Sequence, residues 1–181
     1  MSGLPAPIPA DDLTRPLTVA RPETDETLPH LAVVGGTYTI LVSGAQTQGR
    51  YTLIDMLTLP GGGPPPHRHD FEELFMVLEG EIELTFRDQV LTARAGETVN
   101  IPANAPHSFK NVSARPARLL CLCSPAGQEE FFEQVGLPVP TRTSPAPEQS
   151  AEQRAQAIQK ALALAATYRS EFIRPPSTGA P

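Results

Sequence analysis

The most restrictive feature of this chain is a rhythm. Between Leu31 and Ser124, short β-prone runs alternate with turn signals: TYTILVSG, RYTLIDMLTLP, ELFMVLEG, EIELTFRD, QVLTARAG, ETVNIPA, HSFKNVS and ARLLCLCS. Turns recurring roughly every 8 to 12 residues predict an all-β antiparallel sandwich or barrel. Several runs alternate cleanly. In EIELTF, Ile82, Leu84 and Phe86 fall on one face and Glu81, Glu83 and Thr85 on the other.

The rhythm stops at both ends. Residues 1–30 are rich in proline, aspartate and threonine, without periodicity, and are expected to form an extended N-terminal arm. Residues 31–125 make the barrel. Residues 126–181 are expected to form a C-terminal helical extension and tail: a short helix in AGQEEFFEQV, a Pro/Thr/Ser linker, then helix from 148 to about 173. Ile158, Leu162, Ala165, Arg169 and Phe172 lie along one stripe of that second helix, apolar except at Arg169.

Bulk properties narrow the partners. With 181 residues there is room for one domain with a substantial core. A net charge of −6 with no basic run argues against nucleic acid and anionic membrane. No apolar stretch is of membrane-spanning length and no secretory leader is visible, so a cytoplasmic location is expected. Cys121 and Cys123, at i and i+2 on a strand, point to one face as small core residues rather than as a disulfide.

Chemistry concentrates in GGGPPPHRHDFEE, residues 61–73. His67, His69 and Glu73 are separated by even numbers of residues, so on extended chain they share a face and can converge inside a barrel. Two imidazoles and a carboxylate form a facial set that leaves positions open on a first-row transition metal. His107, in NIPANAPHSFKN, is the source of a third imidazole. His30 lies in the N-terminal arm. The prolines stiffen the approach to His67, and Phe75, Phe86, Phe109 and Met56 are candidates for an apolar wall.

The spacing of Gly61, His67, His69, Glu73 and Gly80 resembles the first motif of the cupin superfamily. Gly96, Pro102, His107 and Asn111 resemble the second, with Asn104 where a glycine is usual. Asparagine tolerates positive φ, so the turn is expected to survive. GRYTLIDMLTLPGGGPPPHRH and ARLLCLCSPAGQEEFFEQVGLP look like the small single-domain quercetin 2,3-dioxygenase-like cupins. In that group the glutamate often falls one position later. Glu72 is the alternative here, but its parity turns it away from the histidines.

This resemblance implies a jelly-roll barrel, the cupin double-stranded β-helix, with one divalent transition metal (Fe, Mn, Ni, Cu or Zn) held by His67, His69, Glu73 and His107. It further implies a dioxygenase-like enzyme acting on a small enolic or aromatic substrate, with Glu73 as both ligand and base. A metal-dependent isomerase or lyase on a small oxo acid or sugar, or a non-catalytic small-ligand-binding cupin, is the alternative. Because Leu74, Met76 and Leu78, on the outward face of their strand, are also apolar, that strand is expected to be covered on both sides, and a homodimer is expected.

Overall fold

The computed structural model describes residues 8–173. Among these residues twelve strands form two antiparallel sheets. In chain order they are β1 (His30–Val33), β2 (Gly36–Val42), β3 (Thr52–Thr58), β4 (His67–His69), β5 (Glu72–Glu79), β6 (Glu81–Phe86), β7 (Gln89–Arg94), β8 (Thr98–Ile101), β9 (His107–Lys110), β10 (Ala117–Ser124), β11 (Leu137–Pro138) and β12 (Ser170–Phe172). The larger sheet runs β11-β1-β2-β3-β10-β5-β8, and the smaller runs β12-β4-β9-β6-β7. This is the all-β jelly-roll architecture, with helices confined to its edges.

Period-2 alternation builds the core. Along β10 burial alternates at every residue, so Ala117, Leu119, Cys121 and Cys123 face inward. Along β6, Ile82 and Leu84 do the same. Ile54, Ile82 and Leu119 are fully buried, and each such side chain contributes about 1.5–3 kcal/mol relative to exposure.

The proline loop before β4 is pressed against β9. Gly63 has φ +136°, and a Cβ there would sit 2.1 Å from the Phe109 carbonyl oxygen, so only glycine allows this approach. Asn104 adopts the left-handed conformation expected of it, φ 68°, and its N–H donates to the His69 carbonyl at 2.6 Å. The second motif's turn is thereby tied to the first motif's strand.

The region after Ser124 departs from the sequence expectation. Helix α1 (Gln128–Val135) buries Phe131 and Phe132. Helix α2 (Ala151–Leu164) stops well before residue 173, passing through a 3-10 turn at Ala165–Tyr168 into β12. Its core-facing residues are Ala161 and Leu164, whereas Ile158 and Leu162 are 61% and 50% exposed. Of the anticipated stripe, Ala165 and Phe172 do reach the core, but beyond the helix, and Ile158 and Leu162 do not, because an Ala-rich sequence fixes helix type but barely marks its buried side.

The N-terminal arm, from Ile8 to Pro29, is mostly exposed chain without strands. His30 opens β1, buried, its Nδ1 2.7 Å from the Thr39 hydroxyl, and is remote from the other three histidines in the sheet order. The outward side of β5 is left partly open by the described residues: Met76 is 41% and Leu78 36% exposed. Among the described residues, no helix is long and apolar enough to cross a membrane.

Candidate metal centre

Both sheets supply the site. His67 and His69 stand on β4 and His107 on β9, directly paired with His67 across the smaller sheet. Glu73 comes from β5 in the larger sheet, opposite Ile101 and Cys123. One nitrogen from each histidine and one carboxylate oxygen lie within 4.8 Å of one another. His69, Glu73 and His107 are buried, and His67 is partly exposed. Glu72 points away: its carboxylate accepts from Asn100 Nδ2 and the Ala103 N–H. Glu72 and Glu73, adjacent on β5, thus face opposite ways, although Glu73 stands on a different strand from His67 and His69 rather than on one continuous run with them.

The orientation of the imidazoles is set by the backbone. His67 Nδ1 lies 2.9 Å from the Pro65 carbonyl, His69 Nδ1 2.9 Å from that of Phe71, and His107 Nδ1 3.0 Å from that of Ala105. A carbonyl oxygen can only accept, so each Nδ1 carries a proton and donates it. The three Nε2 atoms are then the donors left for the site. His69 is also stacked flat on Phe71, centroids 3.9 Å apart.

Oε2 of Glu73 is 3.1 Å from Nε2 of both His69 and His107. With Nδ1 protonated, neutral imidazoles would aim lone pairs at a carboxylate, which is repulsive. A proton or a metal ion must lie between them. Titration shifts agree with such a cation-seeking shell. Burial opposes charge on Glu73, yet the His107 and His69 bonds outweigh it and hold the carboxyl well below its ordinary range. Burial disfavours a charged His107, but its bond to Glu73 wins and raises it. Burial, then the nearby His107, lowers His67 to about 4.

A metal fits this donor set. Adjacent ligands about 2.1 Å from a common ion sit about 3.0 Å apart, close to the observed 3.1 Å separations. Three imidazoles and one carboxylate leave two positions of an octahedron for other ligands.

Sequence reasoning missed the neighbours of this shell. The Cys121 thiol donates to Glu73 Oε1 at 3.3 Å, with Cys123 Sγ 3.6 Å from Cys121 Sγ. Shared inward parity with Glu73 on the paired strand was the available signal. A cavity of about 80 Å³ opens beside His67 and Glu73, with Tyr38, Met56, Phe109 and Gln128 in its walls. Met56 and Phe109 thus meet the expectation of an apolar wall. Phe75 stands behind Phe109 in edge contact at 5.2 Å, and Phe86 is not among the lining residues. Phe172, from β12, closes the cavity near His67, centroids 6.4 Å apart.

Residues 55–123 match the family described as "Cupin domain". An uncharacterised protein of Methanocaldococcus jannaschii is 24% identical over 119 residues, 65% of this chain and 95% of that protein. Quercetin 2,3-dioxygenase of Bacillus subtilis is 29% identical over 101 residues, covering 55% of this chain but only 30% of the dioxygenase. Among solved structures, a predicted oxalate decarboxylase from Thermotoga maritima superimposes with a TM-score of 0.52 at 19% identity, over 59% of this chain and 98% of the other. That likeness speaks for the fold.

Proposed function

We propose that this chain, which belongs to the cupin superfamily, holds one divalent transition metal on His67, His69, Glu73 and His107 and acts as a dioxygenase-like enzyme on a small enolic or aromatic substrate. The observation that carries this reading is the set of three imidazoles whose Nδ1 protons are committed to backbone carbonyls, leaving their Nε2 atoms gathered around Glu73. Bound there, such an ion supplies Lewis acidity and, if redox-active, a meeting point for dioxygen and an electron-rich substrate.

The protein's own residues define what enters. The walls around His67 and Glu73 are mainly apolar. Glu73 is ionised and reaches the cavity, so it is the proton acceptor for the substrate hydroxyl.

A second reading, a metal-dependent isomerase or lyase on a small oxo acid, gains from one observation. Such chemistry needs an acid separate from the ligands, and Tyr38 lines the same cavity. Burial, with Cys121 and Glu73 nearby, raises its pKa far above the ordinary phenol value and keeps it a proton donor. Tyr51, by contrast, is 39% exposed and is not in the cavity wall.

Metal analysis of protein purified without chelator, followed by oxygen uptake with catechols, flavonols and β-diketones, tests the proposal. One iron, nickel, manganese or copper per chain with substrate-dependent uptake supports it. Zinc alone and no uptake with any of them rejects the dioxygenase. Turnover of an oxo acid without oxygen selects the second reading, and saturable binding without turnover selects a ligand-binding role.

We also propose a homodimer joined through the outward face of β5 and β10. Leu74 and Met76 there pair with Leu122 and Leu120 to make an apolar patch.

A further inference from the structure

We infer that Gln128 is the far anchor of the ligand: its carboxamide oxygen accepts a hydrogen bond from a hydroxyl or N–H on a small, mostly aliphatic molecule whose other end is an acidic oxygen beside His67 and Glu73. This narrows the function proposed above to its small, non-aromatic substrates and rests on those residues holding a metal.

The inference starts from an unsatisfied atom. Gln128 is 6% exposed, and its Oε1 has no hydrogen-bond partner among the described residues. Buried carbonyl oxygens are rarely left so, and each case calls for an explanation. Gln128 lines the same cavity as His67 and Glu73, and its neighbours there include Phe131, Phe132 and Val135, which offer no side-chain donor.

The backbone that carries Gln128 is pinned at its helix start. Oε1 of Glu129 accepts the Gly44 N–H at 2.6 Å, and Oε2 accepts the Gly127 N–H at 2.9 Å. A buried acceptor in a mainly apolar wall discriminates strongly, since a ligand lacking the donor leaves it unpaired. Size sets the rest of the class. At about 80 Å³ the cavity is smaller than the ~150 Å³ that accommodates benzene, which favours short chains over fused rings.

The test uses matched probes. ω-Hydroxycarboxylates of three to five carbons are compared with alkanoates of equal heavy-atom count, such as 4-hydroxybutanoate against pentanoate, by calorimetry on metal-loaded protein. Metal content per chain is measured on the same samples. At one chain length the hydroxy acid is expected to bind at least about tenfold tighter. Gln128→Leu and Gln128→Met are each expected to erase that preference while keeping alkanoate affinity and metal content, and to raise Tm of the ligand-free protein by removing an unpaired buried oxygen.

Equal affinities at every length, a preference that survives both substitutions, or a lower Tm in both variants overturns the inference. One metal per chain without any preference sinks Gln128 alone. Preference in a wild type that takes up no metal upholds Gln128 and sinks the metal assignment.

Discussion

The thiol of Cys121 reaches Oε1 of Glu73 at 3.3 Å, while His69 and His107 hold Oε2. The carboxylate is therefore gripped at both oxygens, from the core on one side and from the imidazoles on the other. The adjoining Cys123 thiol and burial raise the pKa of Cys121, so it stays a protonated donor. Cys121→Val removes the donor at similar volume. Metal affinity is expected to fall about tenfold, as for other partners that orient a ligand, with stoichiometry retained. An unchanged Kd in a chelator competition would show that the thiol does not orient Glu73.

His69 and His30 provide a contrast between two buried histidines. His69→Ala is expected to lose stoichiometric metal at micromolar concentration. His30→Ala is expected to keep it and to lose about 1–2 kcal/mol of stability through the abandoned Thr39 bond. Metal analysis and urea unfolding of both variants separate the roles. A metal-replete His69→Ala protein would contradict the ligand assignment.

The chelated protein is expected to be most stable near the ordinary histidine value of 6.5. His67 titrates at about 4 in the fold, so its contribution is complete above 6.5 and is lost as pH falls from 6.5 toward 4. His107 is shifted upward, so its contribution is complete below 6.5 and is lost as pH rises through its folded value. Glu73, shifted downward, adds stability above 4.5 that disappears in stronger acid. Urea midpoints across pH 4 to 9 in chelator check this, and His107→Asn is expected to flatten the alkaline limb.

Strand β12 borders the ligand strand, with Phe172 in register with His67 and Ser170 with His69. Ending the chain at Leu164 removes this strand, the Arg169–Asp70 ion pair and the bond from the Ile173 N–H to the Pro66 carbonyl. Metal is expected to leave the shortened protein at least several-fold faster, with the far-UV spectrum nearly unchanged. Equal release rates would show that the strand does not guard the site.

Met76→Lys places a charge in the apolar patch of β5 and β10. A wild-type dimer is expected to become monomeric, as judged by light scattering, with Tm changed by only a few degrees because Met76 is already 41% exposed. A monomeric wild type would refute the homodimer directly.

How much of this was legible in the sequence depends on the kind of signal. Period-2 burial is written residue by residue, so β6 and β10 and their inward faces could be read directly. Even spacing marked His67, His69 and Glu73 as candidates, but they and His107 stand on three strands of two sheets, so it is strand pairing and sheet packing that gather them. β12 escaped notice because Ser-Glu-Phe is too short to carry a period, and its pairing with β4 is set by the return of a whole helix. Gln128 and Cys121 escaped for another reason. Each matters through what stands opposite it in space, and a one-dimensional pattern holds no record of an unmet carbonyl or a thiol behind a carboxylate.

The bonds from Nδ1 to the carbonyls of Pro65, Phe71 and Ala105 have a further consequence. Those acceptors belong to the main chain, which every substitution leaves chemically intact. The aim of the three rings is thus insulated from change in the surrounding side chains, so substitutions in the cavity wall leave the three Nε2 atoms on their bearing.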